Sequence, residues 1–460
     1  MLQTVTLPRP PAPVPRAEAL GPLALIRVLV RNPLEAWTQA HFEEPIVAGG
    51  LPLARAVVVS DPPAIRRVLL DNAHNYEKDW MQRRILSAGL ADGLLSTEGH
   101  QWRMQRRALA PLFARRSVMS FSAAVIAEAA ALVARLDRRA GETVDVAAEM
   151  TRLTLAVLER TIFSDGVGAD REEVRLAMQR YFEVASRIDP FDILGLPAAI
   201  PRPRRLGVWS TLRFFEKTIE RLIATRRRRL AEAPDDVPQD LLTLLLGATD
   251  PQTGARLSES EVRANVLTFI AAGHETTANC LSWSLYLLSQ APDWRDRLRA
   301  EAERELDRGE PETLADRLVE TRAVIDESNR LYPPISAISR VARGDDVLGG
   351  HAIRRGTMVV IAPYVLHRHR ALWTQADVFN PDRFLPGARE TIERFAYLPF
   401  GAGPRVCIGS AFALQEACVT LAMLTRHFDI DLAPGHAVRP VQKMTLRADG
   451  GMPMIMTRRG

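Results

Sequence analysis

The chain has 460 residues and a mass of 51.1 kDa, 47% hydrophobic and 25% charged, a balance that excludes disordered, fibrous and collagen-like classes. At this length roughly three quarters of the unfolded surface is buried on folding, enough to enclose a deep internal site. Sixty basic residues against 55 acidic give a net charge of +5, and three cysteines without a Cys-x-x-Cys pair exclude a disulfide framework, a structural zinc and a redox dithiol.

The first segment, Met1 to Arg16, carries prolines at 8, 10, 11, 13 and 15 and no uninterrupted apolar core, so neither a signal peptide nor a membrane span is expected. Leu23 to Val30 is apolar but far shorter than the ~20 residues needed to cross a bilayer. We expect a proline-rich N-terminal segment, 1–35, followed by one domain, 36–460, in a soluble cytoplasmic protein.

Ala54 to Ser60 is β-branched and closes on Asp61-Pro62-Pro63, which predicts a strand and a turn. The amphipathic stretch Leu212 to Ile223 predicts a helix whose solvated end is the basic run Arg226 to Arg229, and no nucleic-acid binding is expected from it. Ser258 and Glu261 form a capping box ahead of some thirty residues without proline, predicting one helix over 258–290 with a thin spot at Ala271, Ala272 and Gly273. A further helix over 314–331 should stop before Pro333-Pro334, followed by a strand over 357–363. The last helix, 410–427, starts directly after a glycine-rich run, Phe400 to Gly409.

That junction carries the main chemical signal. Cys407 stands at the start of a helix, where free N–H groups and the positive dipole end would lower its thiol pKa, and three glycines let something bulky approach. A phosphate loop of Cys-x5-Arg type would need Arg at Ala413, and a dinucleotide loop would need Gly at Val406. His274-Glu275 opens like a zinc-protease motif, but its second histidine would fall on Ala278.

The order Phe-x-x-Gly-x-Arg-x-Cys-x-Gly, Phe400 to Gly409, resembles the ligand loop of the heme-thiolate cytochrome P-450 family. Ala272-Gly273-His274-Glu275-Thr276-Thr277, Glu327-Ser328-Asn329-Arg330 and Phe379-Asn380-Pro381-Asp382-Arg383-Phe384 resemble three more family motifs, in family order. The resemblance runs from about residue 40 to the end and is somewhat closer to soluble bacterial members of the fatty-acid-hydroxylase kind. It implies a mainly α fold with small β-sheets (α+β), with heme b held between the long central helix and the cysteine loop.

On that resemblance Cys407 is the axial iron ligand, within a loop that includes Phe400, Gly401 and Gly409. Arg405, the pair Trp102 and Arg106 one helical turn apart, Arg340 and His100 are the propionate candidates, because buried carboxylates require charged donors. Ala272 and Gly273 would face the distal side of the heme. Thr276 beside Glu275, in a locally opened helix, would relay protons to oxygen; the competing reading is a hydroxyl bonded back to the carbonyl of Ala272. Glu327, Arg330 and Arg383 resemble a buried structural triad, while Cys280 and Cys418 read as core.

Trp80, Met81, Ile85, Leu86, Leu90, Leu94 and Leu95 make an apolar segment suited to a hydrophobic substrate, with Phe182, Ile188, Phe191 and Leu194 as a second region. No flavin, nicotinamide or iron–sulfur segment is apparent, so electrons are expected from a separate ferredoxin or flavodoxin-type donor with an NAD(P)H-dependent reductase. Arg103, Arg107 and Arg115 are candidates for its docking surface. The reaction implied is insertion of one atom of O2 into a C–H or C=C bond of a hydrophobic small molecule. The alternatives are a peroxide-driven peroxygenase and a non-catalytic heme sensor or carrier.

Overall fold

The computed structural model describes residues 7–51, 54–80, 82–83, 92–164 and 208–459. Met81, Ile85, Leu86, Leu90, Phe182, Ile188, Phe191 and Leu194 lie outside the described residues. The helices that build the site are α1 (Gly99–Leu109), α2 (Ser122–Asp137), α3 (Val146–Ile162), α4 (Val208–Glu232), α5 (Glu259–Ser289), α6 (Pro292–Glu305), α7 (Val319–Leu331) and α8 (Ser410–His427).

The main sheet has five strands: β1 (Ile46–Leu51), β2 (Ala54–Val59), β3 (Tyr76–Glu77), β4 (Ile338–Ala342) and β5 (Met358–Ile361), in the order β1-β2-β5-β4-β3. Only β2 and β5 run parallel, so the strands predicted from two distant Val-rich patches meet side by side, Val57 opposite Val359. Arg340 lies opposite Val359 on β4. Near the C-terminus β6 (Pro440–Gln442) and β7 (Leu446–Ala448) form a small antiparallel hairpin.

The long helix forms as its cap dictates. The Ser258 hydroxyl accepts from the N–H of Glu261 at 3.2 Å and the Glu261 carboxylate accepts from the N–H of Ser258 at 2.9 Å. At 1.5 Å per residue α5 spans roughly 45 Å and serves as the axle of the molecule. It packs along α3, α7 and α8, and its Trp283 stacks on Tyr332 at 3.8 Å while donating through Nε1 to the carbonyl of Leu446.

Two sequence expectations need correction. The helix over 314–331 is two helices, Leu314–Arg317 and α7, with a break at Leu318. A carboxylate from another helix accounts for it: Glu301 of α6 accepts from the N–H groups of Glu320 and Thr321 and from the Thr321 hydroxyl, at 2.7–2.8 Å, capping donors that a continuous helix would have used internally. In the basic run after Ile223, Arg226 is buried, with Nη2 2.8 Å from Asp240 and a further bond to Thr243, so the solvated end begins only at Arg227.

Among the described residues one stretch, Arg115–Asp137, is long and apolar enough to cross a bilayer. In this fold its Val125, Leu132 and Leu136 are buried in the core.

Glu327 and Arg330, both fully buried, form a bidentate pair at 2.6 and 2.8 Å, and the guanidinium also donates to the carbonyls of His367, Ala376 and Val378. The N–H of Asn380 donates to Glu327 at 2.7 Å, and Arg383 approaches the same carboxylate at 3.7 Å. His367, which sequence reading passed over, accepts from the N–H of Leu398 through Nε2, and burial presses its pKa down to about 3. The triad thus fastens α7 to the segment that leads into the cysteine loop. Removing one partner of such a pair typically costs ~3–5 kcal/mol. Glu327→Ala should therefore yield protein that does not retain heme, checked by the heme-to-protein absorbance ratio after purification, with a normal ratio contradicting the assignment.

Candidate functional site

The loop from Phe400 to Gly409 is shaped by backbone contacts. The N–H of Cys407 donates to the carbonyl of Phe400 at 2.9 Å, closing the turn. Gly403 has φ +70°, and a Cβ there would come within 1.8 Å of the Leu69 carbonyl, so only glycine fits. Gly401 has φ +72°, and Gly409 stands at the cap position of α8.

The side chain of Cys407 is accessible, whereas Cys280 and Cys418 are buried thiols pushed up to about 12 by desolvation. Protein nonetheless surrounds Cys407 closely enough for burial to raise its pKa; the N–H of Gly409 and the charge of Arg106 act in the opposite direction. The N–H groups at the helix start lower the thiol pKa as expected, but burial outweighs them, so they do not bring it down unaided. A metal ion bonded to the sulfur would, since a coordinating thiol is deprotonated outright.

Beside the loop lies a group of desolvated cations. The Arg405 guanidinium sits 3.9 Å over the ring of Trp102, donates to the carbonyl of Thr97 at 3.0 Å and pairs with Glu98; burial, joined by repulsion from Arg340 and Arg106, holds it down to about 10. Lys78, one of only three lysines in the chain, is buried 3.0 Å from Glu98 and bonded to the same Thr97 carbonyl; burial, then Arg405, lowers it to about 8. Burial also lowers Arg340 and Arg106, and the nearest compensating group for Arg106 is Cys407 itself.

Among the described residues the carboxylates within reach are Glu98 and Asp79, and Asp79 is already engaged by Ser339 and the N–H of Gln82. Four cations facing two carboxylates leave two positive charges uncompensated. A dianionic, flat ligand bearing a thiolate-seeking metal matches both features, and heme with its two propionates is such a group.

Not every residue expected here arrives. His100 is exposed on the first turn of α1 and makes no hydrogen bond, ion pair or ring contact with the cluster among the described residues. Gly273 directs its missing side chain at Leu158 of α3, 3.1 Å from where a Cβ would lie, so its smallness serves the packing of α5 on α3. Ala272 is exposed midway along an otherwise largely buried helix.

Helix α5 is continuous, without the expected local opening, and the Thr276 hydroxyl donates to the Ala272 carbonyl at 2.8 Å. Glu275 is bonded elsewhere: the Thr445 hydroxyl of the β6–β7 turn donates to it at 2.7 Å, Asn279 in turn donates to Thr445 at 2.9 Å, and Arg447 stands 4.0 Å away. Lys78, Glu98, Asn279, Thr445 and Arg447 were not singled out in the sequence. Only the rarity of lysine could have flagged Lys78; the others depend on long-range placement.

The family model for cytochrome P450 matches residues 10–453. The chain belongs to the cytochrome P450 family. It is 35% identical to a putative cytochrome P450 132 of Mycobacterium tuberculosis over 88% of each chain. It is 32% identical to a cyclooctatin synthase of Streptomyces melanosporofaciens, covering 87% of this chain and 86% of that one. A crystal structure of the cytochrome P450DA heme domain superposes with a TM-score of 0.85 at 27% identity, over 98% of both chains. This P450 is accordingly a monooxygenase of α+β fold that uses heme b.

Each charge-assisted bond to a buried carboxylate contributes about 1.5–3 kcal/mol, an order of magnitude or more in affinity. Arg405→Leu and Arg340→Leu should each weaken heme uptake about tenfold or more in Soret titrations of the apoprotein. His100→Ala should leave the titration unchanged; the reverse pattern would contradict the placement of the cluster.

Proposed function

We propose that this P450 inserts one atom of O2 into a C–H or C=C bond of a hydrophobic small molecule, with Cys407 as the axial thiolate. The observation that carries the reading is the juxtaposition of an accessible, protein-surrounded Cys407 with two uncompensated buried positive charges. Arg405, Arg340, Arg106 and Lys78 would hold the propionates, with Trp102 fixing the Arg405 plane from below and Phe400, Gly401 and Gly409 shaping the loop. Heme b supplies, when bound, the iron at which O2 is reduced and from which one oxygen atom is transferred.

The chain's own residues would govern protons and access. The Thr276 hydroxyl leaves the Ala272 carbonyl by rotation about its Cα–Cβ bond, and Glu275 exchanges its bond to Thr445 for water, to move protons toward the distal side. Ala272 keeps that side open. Accessible apolar side chains, Trp80, Leu95 and Ile335 at 39–43% exposure, support a lipid-like or terpenoid-like substrate, as do relatives named cyclooctatin synthase and pentalenene oxygenase.

Electrons are assigned to a separate ferredoxin or flavodoxin-type protein, supported by exposed Arg103 on α1. The expected basic surface is narrower than the sequence suggested: Arg107 is bidentate with buried Asp250 at 2.6–2.7 Å and Arg115 pairs with Asp316. A reducing cytoplasm fits three unpaired cysteines.

One observation favours a second reading, a peroxide-driven peroxygenase: Thr276 and Glu275 are each bonded to other groups and not to one another. The test separates the two. With surrogate redox proteins and a substrate found by spectral screening, Thr276→Ala should retain heme and substrate binding while product per NAD(P)H falls several-fold and peroxide rises. Unchanged coupling, together with turnover supported by peroxide alone, would transfer the assignment to the peroxygenase.

A further inference from the structure

Glu416 lies nine residues beyond Cys407 on α8, fully buried, and neither carboxylate oxygen has a hydrogen-bond partner among the described residues. On α8 and α2, two hydroxyls share this condition: Thr420, one turn further along α8, and Ser122 at the start of α2, both fully buried and unpartnered among the described residues. The packing of α2 against α8 relates the three. The ring of Phe121 meets Phe412 edge-on at 6.0 Å, and Gln415 donates through Nε2 to the carbonyl of Val118 at 3.0 Å. Phe412, Glu416 and Thr420 follow one another at four-residue spacing on one face of α8, the face whose Phe412 meets Phe121, and Ser122 is the residue after Phe121.

The ionisable groups that make charge contacts on the elements packed against α8 make them elsewhere. Cys280 of α5, Glu301 of α6, and Arg322 and Asp326 of α7 act on Cys418, about 200° around the helix from Glu416. Glu128 and Arg135 of α2 pair with Arg160 and Glu149, and Arg115 pairs with Asp316 of the short helix before α7. Asp429, on the strand after α8, pairs with Arg459. None acts on Glu416, and burial alone holds its pKa well above the ordinary carboxylate value.

Dry, three such groups would be costly; internal water is the usual partner for buried polar atoms that protein leaves unsatisfied. We propose that Glu416, Ser122 and Thr420 enclose an internal water site in the α2–α8 seam, in which Glu416 is a neutral carboxylic acid and the site a buried proton-binding position. The folded protein holds this proton at pH values where the unfolded chain, with an ordinary pKa of 4.5, releases it. Stability from this group is therefore fully present below pH 4.5 and is lost as the pH rises toward the folded-state value, by tenfold in the folding constant per pH unit. At alkaline pH an unpaired negative charge would form on the helix that begins at the heme ligand, and heme retention should fall with it.

The test uses the holoprotein, its Glu416→Gln variant and Ser122→Ala. Infrared difference spectra at neutral pH should show a protonated-carboxyl C=O band in the wild type that is absent in Glu416→Gln and shifted in Ser122→Ala. In denaturant titrations from pH 5 upward, the unfolding constant of the wild type relative to Glu416→Gln should grow by about tenfold per pH unit. Absence of the band from the wild type, or a wild-type-to-variant ratio that does not change with pH, would overturn the proposal. If Glu416→Gln does not fold, the wild-type band's disappearance at alkaline pH and its shift in Ser122→Ala decide in its place.

Discussion

Burying more positive charge than negative is the constraint on which the site depends. Lys78, Arg340, Arg405 and Arg106 are taken out of water with, among the described residues, Glu98 and Asp79 to offset them, and desolvation lowers the pKa of every one of the four. Isolated charges in such surroundings are costly enough that proteins pair them or bind a counter-ion. Three of the four cations are anchored by neutral partners as well: the Thr97 carbonyl serves both Lys78 and Arg405, the Trp102 ring lies under Arg405, and Arg340 donates to the Ser339 carbonyl. What remains is a demand for two anionic groups next to an accessible thiol, which is the outline of heme b.

The rest of the fold holds that demand in place from three directions. Helix α5 runs behind the site as a rigid axle, tied to the β6–β7 hairpin by Trp283, Asn279 and Glu275. The Glu327–Arg330 pair clasps the carbonyls ahead of the cysteine loop, so a buried charge acts on the site at a distance through the backbone it positions. Gly403 brings the loop against the Leu69 backbone, coupling the Cys407 loop to the segment that follows the main sheet's first hairpin.

The sequence was most readable where chemistry and local geometry coincide. The capping box at Ser258 and Glu261, the Val-rich strands and the helix after Gly409 depend on neighbouring residues, and they form as those residues require. The break at Leu318 was not readable, because its cause is Glu301, a side chain brought from another helix. The same reason hid Lys78, Thr445 and Glu98, whose partners are distant in the chain or were unassigned. Thr276 shows the limit from the other side: its motif speaks for a relay, while local physics, a threonine inside a closed helix, speaks for the bond to Ala272 that is observed.

We propose that the Cys407 sulfur becomes a thiolate by bonding to the heme iron, since burial raises its thiol pKa and so opposes the charged form. The most direct measurement is the carbon monoxide difference spectrum of the dithionite-reduced holoprotein, taken beside Cys407→His. The account predicts the long-wavelength Soret band characteristic of a thiolate opposite carbon monoxide, replaced in the variant by the shorter-wavelength band of a neutral ligand. A wild-type spectrum already at the shorter wavelength, or one that Cys407→His leaves unchanged, would contradict it.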